Sequence, residues 1–185
     1  MRSVSEQQQE RRRVREAAIV ATARDIAERE GWAAITTRRL SAEVGYSQPV
    51  LYSHFASMDA IVTAVAVQGS EEIADALQRS ASASEPIENV ARAYLDLARD
   101  QPALYEAISS RARGLAFATP KAPNALQRAF GAIAEAVGGD ETRAELFWGT
   151  LHGLAELERG GRLRTDARDA RISELVQLYG AAGTP

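Results

Sequence analysis

The sequence predicts an all-α protein of about nine helices, and three observations carry that prediction. Apolar residues recur at helical spacing along almost every segment, and no alternating strand pattern survives. Gly, Pro and Ser fall between segments of helical length. The chain has 185 residues and is 45% apolar, enough for a real core in one large domain or in a small domain joined to a larger one.

The elements follow in order. Ile19, Ala23, Ile26 and Ala27 share one face of a first helix running from about residue 12 to residue 30, which Gly31 ends. Thr36 caps a short second helix, with Ile35 and Leu40 as a hydrophobic staple, and Gly45 stops it. Ser47 caps a third helix with Tyr46 and Leu51 as its staple. Pro49 falls in the first turn, where its missing N–H costs little. Joined by the turn at residues 45–47, the pair has helix-turn-helix form. Further helices are expected over residues 58–80, 86–100, 102–113, 122–137, 140–159 and about 170–179. Residues 80–86, 118–123 and 138–139 supply breaks between them.

Composition excludes several chemistries. There is no cysteine, hence no disulfide, thiolate zinc site, cysteine nucleophile or thiol redox sensor. The N-terminus is polar where a signal peptide would be apolar, and no apolar run approaches the roughly 18 residues of a membrane span. A cytoplasmic protein with no membrane partner is expected. Net charge is only −3, yet residues 1–56 hold 9 Arg against 7 acidic residues. Arg11, Arg12, Arg13 and Arg15 precede the first apolar run. This basic tip suits a local DNA contact or, more plainly, a solvated face.

With about 100° per residue, a third helix that turns Leu51 and Phe55 inward presents Pro49 and Ser53 outward, flanked by Gln48, Val50 and Tyr52. Gln pairs bidentately with adenine N6 and N7, and Pro or Val meets a thymine methyl. Tyr52 and His54 can donate to phosphate oxygens, which positions the helix without reading sequence. Arg38 and Arg39 add positive charge at the same end. Spacing alone leaves a second reading open, because helix-turn-helix geometry also serves proteins that never meet DNA.

The run ITTRRLSAEVGYSQPVLYSHFASMDAI resembles the DNA-binding domain of TetR-family transcriptional regulators. The preceding AAIVATARDIAEREGWAAI is similar to that family's first helix and its Gly-aromatic ending. The resemblance covers roughly residues 12–62. It implies that Thr37, Arg38, Gln48, Pro49, Val50, Tyr52 and His54 occupy DNA-facing positions. One departure is Met58, where the family often has Lys after Ser57, which removes a phosphate contact. The implied division is a DNA-binding domain with its N-terminal arm over 1–56, and a helical ligand-binding and dimerisation domain over 57–185.

Farther along, FWGTLHGLAELERGGRL is similar to a Trp-His-Gly type of TetR C-terminal domain, read from Trp148, His152 and Gly153. Regulators of this family usually dimerise through their last two helices and sense a small molecule in the helical body. Gly149 and Gly153 permit close backbone approach. Ile172, Leu175, Leu178 and Tyr179 give the last helix an apolar face, so these six residues are the expected homodimer interface. Trp148 and His152 are four apart and adjacent on one helix face. Core packing is the first reading for them, and a pocket edge with His152 orienting a ligand is the second. Tyr94, Tyr105 and Phe117 are read the same two ways.

The leading function is therefore a ligand-responsive regulator, most often a repressor. It would bind an inverted-repeat double-stranded operator as a homodimer and be released by a small, largely apolar molecule. An enzyme is the rival class. Its two histidines, His54 and His152, fall in different expected domains, and no HExxH, P-loop or GxSxG run occurs. The carboxylate pairs Glu71-Glu72 and Asp140-Glu141 are read as helix starts, where the helix dipole favours them. No cofactor or metal is expected. The third class is a DNA-binding dimer without an inducer.

Overall fold

The computed structural model describes residues 3–112 and 121–180. Among them run nine α-helices: α1 (Val4–Glu30), α2 (Thr37–Val44), α3 (Gln48–His54), α4 (Met58–Ala81), α5 (Pro86–Asp100), α6 (Pro102–Glu106), α7 (Asn124–Ala136), α8 (Glu141–Arg159) and α9 (Arg168–Gly180). Short 3-10 turns cover Trp32–Ala34 and Thr165–Ala167.

Helix α1 begins about two turns earlier than the residue 12 expected from the sequence. Ser3 Oγ accepts the Glu6 N–H at 3.2 Å, and Glu6 Oε2 accepts the Ser3 N–H at 2.7 Å, a reciprocal capping box. Arg12 pairs with Glu16 at 2.8 Å along the same exposed stretch. From Ile19 onward the helix buries Ile19, Ala23 and Ile26 completely. These pack with Leu40 of α2, Leu51 of α3, Ile61 and Val65 of α4 and Leu104 of α6 into a first apolar core.

A second core gathers Ile73 and Leu77 of α4 with Leu95 of α5, Ile133 of α7, Phe147 and Leu151 of α8, and Ile172 of α9. Helix α4 therefore belongs to both cores: its first turns hold the head and its later turns pack against α5 and α7. Glu71 and Glu72 lie well inside α4, not at a helix start. Glu72 receives a bidentate pair from Arg24 of α1 at 2.6 and 2.9 Å, and Glu71 pairs with Arg128 of α7. Their acidity thus serves interhelical ties. Asp140 does cap a helix, its Oδ1 accepting the Arg143 N–H at 2.7 Å.

The helix expected over 102–113 divides. After α6, residues Ala107–Arg111 widen into a single π-helical turn, a form common where a helix meets a functional constraint. Residue 113 lies outside the described residues.

Candidate nucleic-acid interface and aromatic cavity

The head is built from local chemistry. Thr36 Oγ1 accepts the Arg39 N–H at 3.2 Å and starts α2. Gly45 ends α2 in the left-handed region, φ +76 and ψ 22, so that both its own N–H and that of Tyr46 reach Ser41 O at 3.1 Å. Ser47 occupies the N-cap position of α3, although its side chain makes no capping bond; Pro49 lies in the first turn. Ser57 Oγ caps α4 through the Ala60 N–H at 3.1 Å.

Leu51 anchors α3 inward at 2% exposure. Gln48, Pro49, Tyr52 and Ser53 are exposed, and Val50 is half-buried beside them. Tyr52 Oη lies 3.1 Å from Thr37 Oγ1, which ties the reading face of α3 to the start of α2. Ser53 Oγ donates to Val50 O at 2.7 Å, so its hydroxyl is already used on its own helix. Arg38 is exposed and makes no ion pair among the described residues. Two neighbours differ from the sequence expectation. Arg39 is neutralised between Glu30 and Glu43, clamping α2 to α1. His54 turns inward, its side chain only 7% exposed and its Nδ1 3.3 Å from Glu16 Oε1. Met58 is half-buried against the head's core, so this position serves packing.

In the body, four aromatic residues expected from the sequence converge around one cavity of about 280 Å³, with Ile73 and Leu77 of α4 in its wall. Tyr105 Oη lies 2.6 Å from His152 Nδ1, and Trp148 Nε1 donates to Tyr94 Oη at 3.2 Å. The two tyrosine rings meet edge to face, 6.0 Å apart. Burial pushes the Tyr94 phenol up to about 12. Burial, then its neighbour Tyr94, pushes Tyr105 up as well. Both phenols are therefore neutral near pH 7 and offer O–H groups rather than charge. Trp148 and His152 thus line a cavity as well as packing against core residues. Phe117 lies outside the described residues.

The expected subunit face needs correction. Ile172 and Leu175 are 1% and 4% exposed because they are buried within their own protomer, in the second core where α9 lies on α5. Tyr179 is half-buried, its ring 4.8 Å from that of Phe147. What remains open is a stripe of α8, with Leu146 63% exposed and free space beside Gly149 and Gly153, together with Leu178 of α9 at 69%.

No group of three or more His, Cys, Asp or Glu among the described residues could hold a metal ion. No single helix among them is long and apolar enough to cross a membrane. The bent pair α3–α4 would meet that length only jointly, and its Leu51, Ile61 and Val65 are buried in the head.

A three-helix head carrying a helix-turn-helix, joined by a shared long helix to a helical body, is an arrangement that DNA-binding transcriptional regulators use. Residues 19–65 match the family model for bacterial regulatory proteins of the tetR family, and residues 87–178 match that for the tetracyclin repressor-like C-terminal domain. The chain belongs to the TetR family of transcriptional regulators. An uncharacterized HTH-type transcriptional regulator of Mycobacterium tuberculosis is 29% identical over 175 residues, covering 89% of this chain and 79% of that protein. Two solved structures share the fold. A protein of unknown function from Rhodococcus sp. RHA1 aligns with TM-score 0.69 and 20% identity over 89% of this chain and 93% of that one. A TetR family transcription regulator from Marinobacter aquaeolei VT8 aligns with TM-score 0.60 and 13% identity over 92% and 96%.

Proposed function

We propose that the protein is a repressor which binds an inverted-repeat operator as a homodimer and is released by a small, largely apolar molecule in the aromatic cavity. The observation that carries this reading is α4. Its Ile61 and Val65 seat the head, while its Ile73 and Leu77 wall the cavity, so a ligand presses on the helix that positions the reading face. We place the DNA-binding domain in residues 1–56 and the effector and dimerisation domain in 57–185, with α4 as the lever between them. The cavity holds aromatic and aliphatic walls with two phenols, an indole and one imidazole, which suits an apolar ligand with one or two polar groups.

On DNA, Gln48, Pro49 and Val50 face base edges, Thr37, Arg38 and Tyr52 face the backbone, and Ser53 borders the groove. His54 acts from behind, fixing the end of α3 through Glu16. Two such helices related by a twofold axis would enter successive major grooves about 34–36 Å apart. Gln48→Ala is expected to cost about 1–3 kcal/mol and to relax base preference at one position per half-site. Tyr52→Phe should weaken all sequences alike, since it removes a contact that carries no base information. Selection from random DNA, repeated with each variant, checks both. Recovery of asymmetric sites, or of no preferred sequence, would overturn the operator reading.

For assembly we propose the exposed stripe of α8 (Leu146, Gly149, Gly153) with Leu178 of α9. Leu146→Arg combined with Leu178→Arg should give a folded monomer, because both side chains are open in the protomer. Leu175→Arg should instead unfold the body, because a charge there has no partner and no water. Sedimentation of the double variant as a dimer would move the interface elsewhere.

A further inference from the structure

A larger cavity, of about 550 Å³, opens between α5, α8 and the start of α9. It shares no lining residue with the aromatic cavity. Its chemistry is also different. Leu95, Ala98 and Leu163 form an apolar side, while Arg99, Arg159, Arg168 and Arg171 contribute four guanidinium groups with Glu158 the one acid in the wall.

The guanidinium groups at the start of α9 are incompletely bonded. Arg168 gives Nη1 to Asp96 Oδ1 at 2.7 Å. Its Nε lies 3.4 Å from Glu158 Oε2, a charge contact without hydrogen-bond alignment. Arg171 gives Nη1 to Arg164 O at 2.9 Å and Nη2 to Glu158 Oε1 at 2.8 Å. Nε and Nη2 of Arg168 and Nε of Arg171 are buried and have no hydrogen-bond partner among the described residues. Buried donors are costly unless an acceptor reaches them. The flat guanidinium fork matches the two oxygens of a carboxylate. Asp96, Asp100, Glu106, Glu156 and Glu158 already pair with these four arginines, so the unbonded N–H groups rather than a surplus of charge favour a carboxylate, and a monoanion suits the site better than a dianion.

We propose that this cavity is a second small-molecule site that takes a monocarboxylate with an apolar body. The carboxylate lies between Arg168 and Arg171, whose buried donors turn toward the cavity to meet it, and the body lies along Leu95, Ala98 and Leu163. The two cavities meet at Arg159, which lines the larger one and holds its guanidinium 5.1 Å above the Tyr105 ring that walls the other. An occupant that draws Arg159 toward itself uncovers Tyr105 and thereby alters the aromatic cavity.

Titration calorimetry on the full-length protein tests this with octanoate, octanol and acetate. Octanoate should bind at least tenfold more tightly than either of the others. Arg168→Gln and Leu163→Trp should each weaken octanoate at least tenfold, the first by removing donors and the second by filling the space. Trp148→Phe should change octanoate affinity no more than about twofold, since it reaches the larger cavity only indirectly, through Tyr94, Tyr105 and Arg159. Octanol binding as well as octanoate would overturn the carboxylate's role, and acetate binding as well would overturn that of the apolar body. Loss of octanoate binding in Trp148→Phe would put the acid in the aromatic cavity, and absence of any octanoate binding would overturn the site altogether. Leu163 is half-buried in the α8–α9 connection and makes no ion pair, so Leu163→Trp decides the matter if Arg168→Gln fails to fold.

Discussion

Gly69→Ala is expected to lower the unfolding free energy by about 1–3 kcal/mol, the usual penalty for overfilling a packed site. A Cβ on Gly69 would stand 2.9 Å from Leu104 Cγ, and closer still to Cδ1. Leu104 is fully buried in the first core, so its side chain has no solvent to move into. The glycine lets α4 and α6 cross at close range, and that crossing fixes where the body meets the head. Leu104→Ala alone should cost about 2–5 kcal/mol through the cavity it leaves. In the double variant the new methyl occupies part of that cavity, so the two costs should fail to add by about 0.5–3 kcal/mol. Urea unfolding of the four proteins measures the difference. Strict additivity would mean that the two residues do not restrain one another.

Much of this arrangement was legible in the sequence because it rests on local rules. Thr36 and Gly45 mark the two ends of α2 by their own chemistry, and the structure places that helix where those residues put it. Helix α5 runs over residues 86–100 as expected, with Pro86 at its first turn. The start of α1 was not read, since residues 4–11 carry no apolar stripe; its signal was the Ser3–Glu6 capping box instead. Helix α9 shows a sharper limit. Ile172, Leu175 and Leu178 repeat at helical spacing, but periodicity says only that a face is covered, not what covers it. The protomer's own α5 covers Ile172 and Leu175, and Leu178 remains open.

The candidate sites divide along the same line. Gln48, Pro49, Tyr52 and Ser53 were placed by a helix wheel, which needs only one helix and its buried anchor. Arg39 was expected to add positive charge and His54 to meet phosphate, and neither expectation included their partners Glu30 and Glu16, which lie on a different helix. Tyr94, Tyr105, Trp148 and His152 come from three helices. Their meeting around one cavity depends on how α5, α6 and α8 pack, and no spacing in the sequence encodes that. The arginine-lined cavity was not foreseen at all. Its residues read singly as solvated charges, and only packing leaves their donors buried without partners.

Glu28→Ala is expected to uncouple the head from the body while leaving the reading face intact. The Glu28 carboxylate, on α1, accepts the N–H groups of Ala103 and Leu104 at 3.1 and 2.9 Å. Those groups are orphan donors in the first turn of α6, which α6 cannot satisfy itself. Trp32 Nε1 donates to Ala103 O at 2.9 Å, so the same short helix is gripped at two points. Tyr105 of that helix and Ile108 just beyond it line the aromatic cavity. A ligand that shifts α6 therefore pulls on α1 directly, in parallel with α4. Removing the carboxylate leaves two half-buried donors without an acceptor, at a cost of about 1–3 kcal/mol in stability. Regulatory coupling between two sites is itself typically about 1–3 kcal/mol, so losing one of two connections should reduce ligand-induced operator release at least severalfold. Glu28→Gln keeps one acceptor oxygen and should fall between. Operator affinity with and without a compound bound in the aromatic cavity, measured for all three proteins, separates the routes. Full release in a folded Glu28→Ala protein would assign the coupling to α4 alone.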